Sequence, residues 1–206
     1  MTKFDGTGLV TPLFVLTLCI AFSRCAYGQQ TYVDQEARVS DLPMLTARTH
    51  DAADVLATSL EMVVHDPGVC CGKDSALEDS VERADPAALK DVAARLQGRH
   101  LLSDGRPIAV SAEFWSPEAV SAGKLANVLN SGHALLMMWN SRIYVLYGVV
   151  YRWVDSSPDA GPYTILRKML LLDTRFADER REVEFNRETD DPAKLQGFLF
   201  VTFTAQ

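Results

Sequence analysis

The sequence predicts an α+β fold, helices first and a mostly antiparallel sheet after. Two observations carry this. Apolar residues recur at helical spacing up to about residue 98, and from Pro107 onward most segments alternate or run apolar between turn residues. Strands and helices do not interleave regularly, as the units of a parallel sheet would.

The N-terminus stands apart. Lys3 precedes an apolar run from Leu9 to Phe22, and Ala26-Tyr27-Gly28 offers small residues before Gln29. That run is shorter than the ~20 residues a spanning helix needs and suits a secretory signal. Residues 1–28 are therefore read as a cleavable signal peptide. The bulky, charged Phe22-Ser23-Arg24 before Cys25 does not fit a lipoprotein signal. An exported protein, periplasmic or extracellular, is the expectation, with no stable membrane insertion after cleavage.

The remaining ~178 residues fit one domain. The whole chain carries a net charge of −7, and removal of Lys3, Asp5 and Arg24 makes it one unit more negative. An acidic chain with no basic run argues against nucleic acid or an anionic membrane as partner. Cys19 and Cys25 leave with the signal, so adjacent Cys70 and Cys71 remain. They cannot staple a long loop within one chain.

Residues 29–48 are polar and read as a lead-in to a domain at 49–206. Ala53, Leu56, Ala57, Leu60, Val63 and Val64 mark a helix over 49–64 that His65-Asp66-Pro67-Gly68 ends. A second helical stretch follows Cys71. Asp85-Pro86 starts a third helix, through Leu96 to a stop at Gly98. Pro107–Phe114 reads as a strand, and Ser116-Pro117-Glu118 as a helix start running to Ser131-Gly132. Strands are expected at 134–140, 143–153, 163–173, 182–187 and 198–204, with a hairpin turn at Asn140-Ser141-Arg142. The continuous apolar run Ala134–Met138 suggests a central strand, and charges around Val183 and Phe185 suggest an edge strand.

Cys71-Gly72 sits at a helix start, where backbone N–H groups and the helix dipole favour a thiolate. An inert buried thiol fits the same position. Cys71-Gly72, Ala76-Leu77, Leu129-Asn130-Ser131-Gly132, Tyr144-Val145-Leu146-Tyr147-Gly148 and Leu170-Leu171-Leu172-Asp173 occur in this order. Over residues 60–175 the chain thereby resembles papain-like cysteine hydrolases, above all the bacteriocin-processing branch. The resemblance implies a papain-like α+β fold, a nucleophilic Cys71 and a site carboxylate at Asp173. It places Arg142 where the family has its catalytic His, and His65 near the family's oxyanion Gln. Arginine stays protonated and cannot serve as a general base. Arg142 is expected to stabilise a Cys71 thiolate, bind a carboxylate ligand or pair with Asp173. His65 is a candidate oxyanion donor or base.

An alternative pair is His133, opening strand 134–140, with Asp155 just beyond strand 143–153. The expected function is an exported cysteine hydrolase or acyltransferase homologue, degenerate at the His position. The rival is a non-catalytic module that binds a peptide or protein in the old cleft. A weaker alternative uses Cys70-Cys71 in redox or metal chemistry. No cofactor is implied, and no metal-site spacing is present.

Overall fold

The structure is a computed structural model, and it describes residues 33–64, 88–101, 105–154, 162–176, 179–184 and 194–205. The compact unit that holds them runs from Val33 to Gln206. Its strands are β1 (Asp34–Arg38), β2 (Gly98–Leu101), β3 (Pro107–Trp115), β4 (Leu135–Trp139), β5 (Arg142–Val154), β6 (Tyr163–Leu172), β7 (Arg180–Glu184) and β8 (Leu195–Ala205). Its α-helices are α1 (Ala52–Val63), α2 (Leu89–Leu96) and α3 (Ala122–Asn130).

One sheet takes the order β2-β3-β8-β4-β5-β6-β7, with β1 on β5. Every pairing among the described strands is antiparallel. The α+β class with an antiparallel sheet is therefore present. The apolar run Leu135–Met138 does become the central strand β4, buried on both faces. Alternation along β7 leaves it half-exposed at the edge, where charges discourage further pairing.

The two sheet faces hold separate cores. On one, Leu136, Met138, Val145, Leu172 and Leu199 pack with Leu56 and Leu60 of α1 and with Val92 and Leu96 of α2. On the other, Leu135, Met137, Leu146, Leu171 and Phe198 pack with Leu125 and Leu129 of α3. Successive side chains of a strand point to opposite faces, so one apolar run feeds both cores.

Several elements differ from the sequence expectation. The polar lead-in contains β1. Only Ala37 of that strand is buried, so no apolar periodicity reveals it. It is held by its ladder to Gly148–Arg152 and by Asp34, which accepts from Arg152 Nε at 2.7 Å. Gly148 makes the approach feasible: a Cβ there would lie 3.0 Å from the Cβ of Arg38 and 3.3 Å from the carbonyl of Ala37. Strand β2 follows directly on α2, where Gly98 is read only as a stop. The helix expected from Pro117 is instead a 3-10 turn (Pro117–Ala119), because Val120 is extended. Helix α3 starts afresh at Ser121, whose Oγ accepts from the Lys124 N–H at 3.1 Å. Ala88 is likewise non-helical, so α2 begins at Leu89, after Pro86.

The β4–β5 hairpin closes through Asn140 and Ser141, with φ of 51° and 59°. Two successive left-handed residues define a type I′ turn, which matches the strand twist and favours glycine at its second position. Ser141→Gly is therefore expected to stabilise the protein by about 0.5–1 kcal/mol. Urea denaturation checks this, with a higher midpoint and unchanged slope.

Candidate functional site

Strand β6 ends at Leu172, and the chain turns sharply through residues 173–176 toward β7. The Phe176 N–H donates to the Asp173 carbonyl at 3.1 Å, and the Asp173 N–H to the Glu179 carbonyl at 3.4 Å. These bonds point Asp173 inward, and it is only 1% exposed.

A buried carboxylate needs partners, and one residue supplies them. Arg175 Nε donates to Asp173 Oδ1 at 2.7 Å, and Arg175 Nη2 donates to Oδ2. The Arg175 backbone N–H adds a bond to Oδ1 at 3.2 Å. This is the bidentate fork that arginine makes with carboxylates. Burial by itself pushes the Asp173 carboxyl up, but the bonds and charge of Arg175, with Arg181 beyond, outweigh it and hold it below its ordinary value. The guanidinium lies about 6.0 Å from the Tyr144 ring centroid and 5.9 Å from that of Phe176. Asp173 in turn keeps Arg175 firmly protonated.

Thr174 ties this turn to the rest of the fold. Its hydroxyl lies 3.0 Å from Ser59 Oγ of α1, both groups being buried, and its carbonyl accepts from the Ala47 N–H at 2.7 Å. A cavity of about 250 Å³ opens beside the turn. Met62 of α1 and Leu172 of β6 lie deep in it, with Leu45 and Thr46 alongside, and Met44 and Phe176 are exposed at its edge. His50 packs its ring on Phe176 with centroids 5.5 Å apart. Among the described residues, no buried side-chain nitrogen or oxygen lacks a hydrogen-bond partner.

Arg142 opens β5 opposite Trp139, and Val145 pairs with Leu172. Arg142 and Asp173 thus belong to one edge of the sheet. The cation that grips Asp173 is nevertheless Arg175, two residues away, and Arg142 is exposed. Of the three roles expected for Arg142, the pairing with Asp173 is filled by Arg175. Sequence reasoning looked for partners at strand openings and passed over Arg175. Its signal was an Asp-Thr-Arg step directly after an apolar strand.

His133 is exposed between α3 and β4, its ring edge-on to Phe200 at 5.9 Å. β4 is short and pairs with β5 only from Arg142 to Leu146, while β5 runs on to Val154. The level of His133 and the far end of β5 are thereby set apart along the strand. Cys70, Cys71, His65 and Asp155 lie outside the described residues. Among the described residues there is no group of three or more His, Cys, Asp or Glu able to hold a metal ion. No helix of the described residues is long and apolar enough to cross a membrane.

Compared with known proteins, the chain matches no protein family, no curated protein and no solved structure.

Proposed function

We propose that this chain is an exported, catalytically silent homologue of the papain-like cysteine hydrolases, which holds a peptide or protein ligand near Asp173. The observation that supports this reading is the occupation of both Asp173 carboxylate oxygens by Arg175. In a Cys-His-Asp relay the carboxylate must accept the proton-bearing nitrogen of the histidine, which fixes its tautomer and orientation. A bidentate guanidinium engages both oxygens, competes with a histidine for the carboxylate, and cannot itself take up a proton. Arg142, at the same sheet edge, is equally unable to act as a base. The antiparallel α+β architecture is compatible with the proposed ancestry, and the acidic composition favours a peptide or protein over nucleic acid.

The test is the alkylation rate of Cys71 against pH in a Cys70→Ala protein. A silent site leaves the midpoint near or above the free-thiol value of ~8.5. A rate plateau with a midpoint well below that value defines an activated thiolate and returns the chain to the hydrolases, with His65 as the first base to replace.

A further inference from the structure

The turn between β4 and β5 carries chemistry that its structural role does not use. The chain contains Asn127, Asn130, Asn140 and Asn186, and two of them precede a serine, at Asn130-Ser131 and Asn140-Ser141. A small residue after asparagine gives the next backbone nitrogen access to the side-chain amide, which makes asparagine thermolabile. The fold treats the two dipeptides differently. Asn130 is the last residue of α3, and the Ser131 N–H donates to the carbonyls of Asn127 and Val128, both at 3.1 Å. Attack by that nitrogen requires the end of the helix to open. Asn127 precedes the β-branched Val128 within the same helix. Asn140 and Ser141, by contrast, are exposed in the hairpin turn. The Ser141 N–H is held by a side chain, donating to Gln196 Oε1 at 2.8 Å. Gln196 is itself exposed on β8, so this bond opens by rotation of one side chain, with no loss of backbone structure.

We propose that Asn140 is a self-modification site, where deamidation of the folded protein is concentrated and Gln196 acts as the brake. The Ser141 nitrogen gives up its proton to solvent and bonds to Asn140 Cγ. The Cγ–Nδ2 bond breaks, ammonia leaves, and a succinimide remains. Water then opens either carbonyl of the ring, giving aspartate or isoaspartate. Either product adds a negative charge two residues from Arg142 and beside Lys194, whose carbonyl accepts from the Asn140 N–H at 2.7 Å. Isoaspartate also lengthens the backbone of the turn that sets the β4–β5 register.

The test incubates the full chain, as the expressing cell processes it, at mildly alkaline pH. Peptide mapping by mass spectrometry follows aspartate and isoaspartate at Asn127, Asn130 and Asn140. In the folded protein Asn140 should react at least about five-fold faster than Asn130, whose helix end must open first. In urea both Asn-Ser pairs lose their structure, and their rates should converge. Gln196→Ala should speed the reaction at Asn140 in the folded protein by about two- to ten-fold, the worth of one hydrogen bond. Gln196→Glu keeps an oxygen acceptor and should react near the wild-type rate. The rate at Asn130 in each variant reports any general loosening of the fold. Equal rates at Asn130 and Asn140 in the folded chain, or a preference for Asn140 that persists in urea, overturns the proposal. So does a Gln196→Ala rate at Asn140 that is unchanged, or that rises no more than the rate at Asn130.

Discussion

Replacing Asp173 by asparagine is expected to cost about 2–4 kcal/mol of stability at neutral pH, between the loss of one charge-assisted hydrogen bond and the breaking of a fully buried ion pair. The substitution keeps the shape but removes the charge that compensates Arg175. It also sets an amide N–H₂ against one of the guanidinium donors. Because Arg175 keeps 16% of its side chain in contact with solvent, the upper end of the buried-pair range is not reached. The effect carries a pH signature. The folded carboxyl titrates below its ordinary value, so its contribution is whole above pH ~4 and is lost as the pH falls through the depressed folded value. Wild type and Asp173→Asn should therefore differ most at neutral pH and converge in acid. Urea denaturation across that range measures it. A constant difference down to low pH would show that packing, not charge, holds this turn.

Gly197→Ala is expected to destabilise by about 3 kcal/mol or more, combining overpacking with backbone strain. Gly197 has φ +150°, a conformation that L side chains rarely adopt. It sits where the β4–β8 register shifts, between the pairs Met138–Gly197 and Trp139–Leu195. A Cβ would lie 2.5 and 2.6 Å from ring carbons of Phe114 and 3.0 Å from the Trp115 carbonyl. The ring can be reduced, whereas the carbonyl belongs to β3 and the φ to β8. Adding Phe114→Leu to Gly197→Ala should therefore restore part of the loss, and a double-mutant cycle should return a favourable coupling. Additive effects would mean that backbone conformation alone governs this position.

Much of the fold is legible in the residues taken singly and in short windows. The central place of Leu135–Met138 follows from an unbroken apolar run, and the edge place of β7 from apolar residues set between charges. The β4–β5 hairpin follows from two apolar strands separated by Asn-Ser. Such features are local, and local pattern is what a sequence displays directly. β1 escapes that reading because four of its five residues face solvent, and its pairing depends on a glycine more than a hundred residues away. The start of α3 at Ser121 escapes it because two nearby serines each resemble a helix cap, and only one makes the bond.

At the site the division falls in the same way. The sequence by itself determined that Asp173 ends an apolar strand, that position 142 cannot supply a base, and that the composition is acidic. Only the tertiary structure decided what Asp173 binds. A carboxylate at a strand end can face a histidine, a ligand or its own turn, and nothing in residues 170–175 ranks these. The turn bonds of Asp173 and Phe176 bring Arg175 back onto the carboxylate, while Ser59 and Ala47, remote in sequence, hold Thr174 in place. The partner of a buried charge is chosen by which group the folded chain brings within about 3 Å, and that is a property of the assembled turn, helix and strand together.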